Sequence, residues 1–371
     1  MKKKVEKAAP KKPIDPSAAA PPGSGIFGLN HTLAECAVAL MPVPWEVTTS
    51  YRGGTAKGPA AILKASHQVE LFDRMYGNPY EVVLEPGDQF LAGIHMLPIS
   101  RKITTLNALN KPKARRIIEA GEEAVARSKP LARMLAEVNA AGEELNRIVY
   151  RKTKELLELD KLVGVIGGDH SVPYGAIKAI AESIDGEEGL GILHIDAHAD
   201  LRVCYEGFDW SHASIMHNVL RDIPQVTRLV QFGIRDFCQA EHMAIKTSTS
   251  RIMTSFHEDV STMRDGDVPW DQLCEQAIAT LPPHVYVSFD IDGFSQTLCP
   301  NTGTPVPGGL SWHDVLMLLD ILRRKRVIVG FDLVEVSPSE RWKPGDPDTW
   351  DANVGARTLY KLIGAMLASH P

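Results

Sequence analysis

The chain has 371 residues, of which 44% are hydrophobic, and it carries a formal net charge of −6. This length is sufficient for one large domain with a buried core and some extensions. The acidic balance provides no basic surface for nucleic acid, so we expect no nucleic-acid partner. The sequence also predicts no signal peptide and no membrane-spanning segment, so no membrane partner is expected.

The start of the chain is rich in lysine and then in proline, which predicts a flexible N-terminal tail over residues 1–30. Residues 31–371 are predicted to form a single domain with a partly helical insertion at about 77–160. Within this insertion, 77–103 is expected to be irregular and 112–160 helical, with an interruption at Pro130. The five cysteines form no CxxC pair, which favours a reducing compartment, and we expect a cytoplasmic protein.

Short apolar segments rich in valine and isoleucine alternate with helical patterns along the rest of the chain. This alternation predicts an α/β fold with three layers, in which a mainly parallel central sheet is flanked by helices. The chain should end in an amphipathic helix over about 354–367. The predicted strands cover residues 162–166, 190–193, 228–232, 285–289 and 327–331.

Acidic and imidazole side chains follow three of these strands directly, in the sequences Asp169-His170, Asp196-Ala197-His198-Ala199-Asp200 and Asp290-Ile291-Asp292. The carboxyl ends of parallel strands meet at one edge of a sheet, where sites form. If strand geometry persists through each motif, residues two apart point to the same side. Carboxylates can bridge two cations, so the motifs together predict two divalent ions about 3.5 Å apart. A solvated turn is the alternative for any one motif alone, but not for all three.

These motifs resemble the three signatures of the ureohydrolases, the family of arginase and agmatinase. The residues that carry the resemblance are Gly167-Gly168-Asp169-His170-Ser171, 196–200 and 288–292. Segments 42–45, 53–59, 233–236, 303–305 and 333–338 resemble further landmarks of the family, and the likeness extends over about residues 34–370. The resemblance implies a hydrolase that cleaves a guanidino C–N bond.

The resemblance also implies how the two cations are held. One would be bound by His170, Asp196, Asp200 and Asp290, and the other by Asp196, His198, Asp290 and Asp292. A water shared by two cations ionises at neutral pH, and the resulting hydroxide is the expected nucleophile toward the guanidinium carbon. Asp200 is expected to orient this hydroxide by a hydrogen bond.

Two further residues match catalytic positions of the family. His212 corresponds to the histidine that transfers a proton to the departing nitrogen, a role that suits imidazole. Glu335 corresponds to the carboxylate that pairs with the planar guanidinium. The alternatives are an ordinary loop histidine and a buried structural acid, although a buried carboxylate needs a partner.

The loop between Asp200 and His212 is expected to determine the substrate. Its bulky side chains Tyr205, Phe208 and Trp210 would fill the space that a substrate tail occupies, which favours a short substrate. This loop is most similar to that of the nickel-dependent guanidine hydrolases, which convert guanidine and water to urea and ammonia. If the aromatic side chains point into the core instead, the alternatives are agmatinase and guanidinobutyrase, which release urea and an amine.

The resemblance to the guanidine hydrolases implies two divalent ions per subunit, with Ni²⁺ expected first and Mn²⁺, which most relatives use, as the alternative. Imidazole and carboxylate ligands accept both metals. Ala213 and the pair Ser295-Gln296 depart from the commoner family pattern close to the metals. The resemblance further implies as partners a small cationic guanidino compound, identical subunits in a homotrimer or homohexamer, and metal-loading accessory proteins. More distant alternatives are a single-zinc deacylase of the same fold and a non-catalytic binding protein. Arg235 and Asp236 are predicted to form a structural ion pair.

Overall fold

The structure is a computed structural model, and it describes residues 15, 17–21, 23–81 and 93–370. Its centre is one sheet of eight parallel strands. In chain order the strands are β1 (Val38–Val43), β2 (Ile94–Met96), β3 (Leu162–Gly167), β4 (Leu190–Ile195), β5 (Val226–Phe232), β6 (Ile252–Ser255), β7 (His284–Asp290) and β8 (Val327–Val334). Their spatial order is β2-β1-β3-β8-β7-β4-β5-β6.

Helices connect consecutive strands and cover both faces of the sheet. In the described residues they are α1 (Gly58–Ala65), α2 (Arg101–Ala120), α3 (Glu122–Arg127), α4 (Lys129–Leu157), α5 (Tyr174–Ala181), α6 (Ile215–Asp222), α7 (Gln239–Thr247), α8 (His257–Asp265), α9 (Trp270–Ala279), α10 (Trp312–Lys325) and α11 (Trp350–Leu367). One layer contains α1, α9, α10 and α11, which pack together, and α2, α4, α5 and α6 pack together in the other.

The strands are apolar on both faces because both faces are covered. In β7, Val285, Val287 and Phe289 belong to the core cluster that contains α11, whereas Tyr286 belongs to the cluster that contains α5. Such continuous apolar strands are typical of parallel sheets with helices on each side. The predicted three-layer α/β fold is confirmed, and the sheet is parallel throughout.

The inserted segment is more regular than predicted. Helix α2 begins at Arg101 rather than near residue 112, and Pro112 lies inside it. Pro130 does not interrupt a helix, because it stands in the first turn of α4, where the missing N–H of proline has no cost. Residues 82–92 of the predicted irregular stretch lie outside the described residues. Helix α11 begins at Trp350, four residues before the predicted start.

Part of the predicted N-terminal tail is packed against the domain. Ile26 and Phe27 form a short helical turn with side chains only 1% and 3% exposed, in the core cluster of α1 and α11. Ile26 and Phe27 explain the difference, because burial of their apolar surface is favourable, whereas the polar residues before them have little apolar surface to bury. Residues 1–14 of the tail lie outside the described residues. Among the described helices, none combines the length and the apolar character required to cross a bilayer.

Candidate metal centre

The three motifs meet because their strands are neighbours in the sheet. His170 follows β3, Asp196 follows β4 and Asp290 is the last residue of β7, while Glu335 follows β8. These four strands are neighbours at the centre of the sheet, in the order β3-β8-β7-β4. In the chain, 165 residues separate His170 and Glu335. The carboxyl ends of four adjacent strands therefore deliver their polar residues to one place, as expected for an open parallel sheet.

The first group of donor atoms surrounds His170. Its Nδ1 atom lies 2.9 Å from Oδ2 of Asp196 and 3.3 Å from Oδ2 of both Asp200 and Asp290. All of these side chains are buried. The arrangement matches the composition expected for one cation site, with one imidazole nitrogen and three carboxylate oxygens converging.

The second group surrounds His198. Its Nδ1 atom lies 3.4 Å from Oδ1 of Asp196 and 3.3 Å from Oδ2 of Asp292. Asp196 therefore turns one oxygen toward each histidine, which is the position of a carboxylate that bridges two ions. The structure brings all six predicted ligands into two adjacent groups, with Asp196 common to both and Asp290 beside His170.

The local conformation differs from the strand geometry on which the prediction relied. Strand β4 ends at Ile195, Asp200 has a left-handed φ of 53°, and Asp292 lies in a helical turn over Ile291–Gly293. Carboxylates fold back onto the chain in both motifs: Oδ1 of Asp196 accepts from the backbone N–H of His198 at 2.6 Å, and Oδ1 of Asp290 accepts from Asp292 at 2.8 Å. These hydrogen bonds fix turns, and the turns rather than strand alternation aim the side chains.

The charges of the centre fit bound cations. Burial, followed by repulsion from Asp196, raises the pKa of Asp200 well above its ordinary value. Burial and then the charge of Asp292 do the same for the pKa of Asp290. Four carboxylates crowded in a buried space repel one another, and divalent ions held between their oxygens would remove that repulsion. Hard carboxylate oxygens with two imidazoles suit Mn²⁺, Ni²⁺ and Zn²⁺.

The orientation of His170 also fits a ligand. Its Nε2 atom lies 2.9 Å from Oγ of Ser288, while Nδ1 faces the carboxylates. If Nε2 carries the proton and donates a hydrogen bond to Ser288, the lone pair of Nδ1 points into the cluster. A second hydrogen-bonded partner of this kind is usual for metal-binding histidines.

A buried polar chain behind Asp196 was missed in the sequence. His194 places Nε2 at 2.9 Å from Oδ2 of Asp196, and the amide nitrogen of Gln231 lies 2.9 Å from Nδ1 of His194. Gln231 also donates to the carbonyl of Ala199, and its oxygen accepts from Thr254. Because the amide donates to Nδ1, His194 carries its proton on Nε2 and donates to Asp196. The sequence contained one indication of this contact. His194 and Asp196 are two residues apart at the end of a strand, so their side chains point to the same side.

The predicted ion pair between Arg235 and Asp236 is wrong. Arg235 instead donates to the backbone carbonyls of Gly233, Asp292 and Phe294 at 2.8–3.2 Å, and to two carbonyls of the segment 306–307. The guanidinium, with its five donors, is better matched to this ring of carbonyls than to a single carboxylate. It fixes the turn that carries Asp292.

Glu335 is buried at 4% exposure beside the cluster, with a left-handed φ of 59°. Its Oε1 accepts from the backbone N–H of His170 at 3.0 Å, and within the described residues Oε2 has no hydrogen-bond partner. Burial, and then the charges of Asp169 and Asp292, raise the pKa of Glu335 well above its ordinary value. A Cβ at Gly303 would lie only 3.1 Å from Oε2, so glycine keeps the space next to this oxygen open.

His212 is partly buried, and it lines a cavity of about 280 Å³ together with His198, Asp200 and Tyr205. Burial, then the nearby His198 and His170, lowers the pKa of His212 to about 4. Its imidazole is therefore neutral near pH 7.

Two of the three predicted aromatic side chains are not at this cavity. Phe208 is fully buried in the core cluster of α2 and α4. Trp210 packs against α5, with its ring 4.8 Å from that of Tyr174. Helices α2, α4 and α5 offer apolar surface that the open cavity lacks, so the two aromatic side chains turn toward these helices, and their assignment to substrate binding is corrected to packing. Tyr205 does line the cavity, with its ring edge-on to His212 at 6.1 Å.

If the polar chain behind Asp196 positions a ligand, Gln231→Met should weaken binding of the divalent ions about ten-fold or more, because it removes the amide that holds His194. Titration of the metal-free protein with Mn²⁺ or Ni²⁺ in a calorimeter measures this. The exposed Gln225→Met is the matched control and should bind as the wild type does. Equal affinities for the two variants would contradict the positioning role.

Known proteins match this chain over most of its length. Residues 36–363 match the Arginase family. The N(1)-aminopropylagmatine ureohydrolase of Thermus thermophilus is 31% identical over 331 residues, which cover 89% of this chain and 90% of that protein. The mitochondrial arginase of Medicago truncatula is 30% identical over 228 residues, covering 60% of this chain and 62% of the arginase.

The fold is similar to that of solved structures. The proclavaminate amidino hydrolase of Streptomyces clavuligerus has a TM-score of 0.67 and 21% identity, over 95% of this chain and all (100%) of the other. The agmatine ureohydrolase of Thermoplasma volcanium has a TM-score of 0.63 and 20% identity, over 91% of this chain and 92% of the other. At this identity the likeness is one of fold. The match over residues 36–363 shows that the chain belongs to the Arginase family.

Proposed function

We propose that this chain hydrolyses a C–N bond of guanidine, producing urea and ammonia, at a centre of two divalent ions held by His170, Asp196, His198, Asp200, Asp290 and Asp292. The observation that carries the guanidino specificity is the buried Oε2 of Glu335, which has no protein partner among the described residues. A buried carboxylate oxygen without a donor is costly. A planar cation with several N–H donors is the ligand that would satisfy it.

Each side chain of the site has a separate role in the proposed reaction. When bound, the two ions supply Lewis acidity that makes a coordinated water nucleophilic at neutral pH. Glu335 accepts hydrogen bonds from the guanidinium and holds its carbon toward the cluster. Asp200 accepts a hydrogen bond from the attacking water and orients it. His212, neutral near pH 7, takes up a proton and gives it to the departing nitrogen, so that guanidinium and water become urea and ammonium.

The preference for a short substrate rests on Tyr205. Its ring stands edge-on to His212, and the guanidinium of Arg202 lies 4.8 Å from the ring centroid on its face. Arg202 is in turn 3.7 Å from the buried carboxylate of Glu241, which holds the stack in place. With its ring held in place beside His212, Tyr205 restricts the space available to a substituent on the departing nitrogen.

The second candidate is a tailed guanidino substrate such as agmatine or 4-guanidinobutyrate. A cavity of about 280 Å³ has room for a short aliphatic chain, and the carboxylates of Asp236 and Glu241 line it together with Arg202. The names of the Thermus relative and of the Thermoplasma structure also refer to derivatives of agmatine or to agmatine itself.

For the remaining properties we propose Ni²⁺ as the metal, with Mn²⁺ as the alternative, because the nitrogen and oxygen donors accept both. We also propose a homo-oligomer, a trimer or a hexamer, from the resemblance to the family. All five cysteines are free, which is consistent with the proposed cytoplasmic location.

A screen of urea release tests the proposed substrate. The protein is loaded separately with Ni²⁺ and Mn²⁺ and assayed with guanidine, methylguanidine, agmatine, 4-guanidinobutyrate and arginine. The proposal expects guanidine to have the highest kcat/KM. A higher kcat/KM for agmatine or 4-guanidinobutyrate would replace guanidine by the second candidate, and no urea from any compound would remove both.

The role of Glu335 is tested by Glu335→Gln. The amide loses the negative charge that pairs with the guanidinium, so kcat/KM should fall by at least about ten-fold, the equivalent of one charged hydrogen bond. Steady-state urea release measures the change, and the exposed Glu340→Gln on the same loop is the control. Activity of Glu335→Gln equal to that of the control would make Glu335 a structural acid.

The wall formed by Tyr205 is tested by Tyr205→Ala. Removing the ring opens space beside His212, so kcat/KM for agmatine relative to guanidine should rise about ten-fold, the lower end of the effect that one methylene group has in a pocket. Phe208→Leu changes the adjacent core and should leave this ratio unchanged. A ratio that does not respond to Tyr205→Ala would show that the ring does not select the substrate.

A further inference from the structure

A second cavity, of about 660 Å³, lies at the opposite edge of the sheet from the metal centre, where the chain enters the strands. It is bordered by Glu188 before β4, by the start of β5, and by the segments that lead into β6, β7 and β8. Arg326 at this cavity and Glu335 at the metal centre stand at the two ends of β8. At about 3.3 Å per residue, roughly 30 Å separates them. The cavity is therefore a separate site.

Three arginines from different strands line this cavity: Arg228, Arg251 and Arg326. Arg251 donates through Nε and a terminal nitrogen to the carbonyl of Val226, at 3.2 and 2.7 Å. Arg326 donates to the carbonyls of Leu281, Ala279 and Lys325 at 2.7–3.0 Å. Because neutral carbonyls fix these two guanidinium groups, their positive charges stay in place without being neutralised.

Arg228 makes fewer hydrogen bonds than the other two arginines within the described residues. Its Nε donates to the hydroxyl of Thr280 at 3.2 Å, and within the described residues its two terminal nitrogens donate to no protein atom. They form the free end of a planar fork. Such a fork matches two oxygens of a phosphate or carboxylate group.

The charges around the cavity are unbalanced. No described carboxylate forms an ion pair with any of the three arginines, and Glu188 is the one acidic residue of the lining. Burial lowers the pKa of Arg228 and of Arg251, with no neighbouring anion to offset the desolvation. The adjacent Lys325, in contrast, is paired with Glu275 at 3.1 Å. An excess of fixed positive charge is notable in a chain whose net charge is −6.

We propose that this cavity binds an oxyanion with two negative charges, of the phosphate type, between the guanidinium groups of Arg228, Arg251 and Arg326. The ligand bridges the entrances to β5, β6 and β8 and supplies the negative charge that the protein does not. Free phosphate and the phosphoryl group of a small metabolite share this chemistry, and binding of inorganic phosphate and of AMP distinguishes them.

The test is calorimetric titration of the full chain with inorganic phosphate and with AMP at constant ionic strength. Saturable binding to the wild type is expected for phosphate, and tighter binding of AMP would assign a phosphorylated metabolite. Arg228→Gln should weaken binding about ten-fold, since it removes one charged fork. Arg228→Lys keeps the charge without the fork and should have an intermediate affinity.

The control is Lys325→Gln, which removes a neighbouring cation that is already paired and should bind phosphate as the wild type does. Urea release by Arg228→Gln in the absence of phosphate should equal that of the wild type, which shows that the variant is folded. The proposal is overturned if the wild type shows no saturable binding. It is also overturned if Arg228→Gln binds as tightly as the wild type, because the anion would then occupy another place such as the metal centre.

Discussion

The mutual repulsion of buried carboxylates at the carboxyl edge of the sheet is the constraint on which the site depends. Asp196, Asp200, Asp290 and Asp292 are all buried, and their oxygens approach the same two histidines. Charges of one sign repel strongly when water is excluded. A chain that gathers them requires positive charge in return, and two divalent ions held between their oxygens would provide it. The same ions would activate the attacking water. The ions that offset the electrostatic cost of the carboxylate cluster would therefore also supply the proposed activity.

The scaffold holds this cluster through close backbone contacts. A Cβ at Gly168 would lie 1.7 Å from the carbonyl oxygen of Trp45, so the loop after β3 is pressed against the segment after β1. The carbonyl of the same Gly168 accepts from the backbone N–H of Glu335 at 2.8 Å, which joins the ends of β3 and β8. Glycine is required at a contact of this kind because any side chain would separate the segments. The position of Glu335 relative to His170 is thereby fixed by backbone, independently of any ligand.

The convergence of the six side chains could be predicted from the sequence because each motif is short and directly follows a buried strand. The strand order then brought the motifs together without further information. The direction of Phe208 and Trp210 could not be predicted in the same way, because it depends on helices α4 and α5, whose packing is set by distant residues. The surroundings of Arg235 could not be predicted for a similar reason, since four of its five carbonyl partners belong to turns more than fifty residues later in the chain. Local patterns thus predicted which polar side chains converge, whereas the packing of the neighbouring aromatic side chains required the tertiary structure.

The most direct test of the two-ion centre is the metal content of the purified protein after loading, measured by mass spectrometry alongside protein concentration. We expect two equivalents of Ni²⁺ or Mn²⁺ per chain, with urea release that increases as the second equivalent binds. A single tightly bound zinc ion per chain, with no gain on adding a second equivalent of any divalent metal, would contradict it.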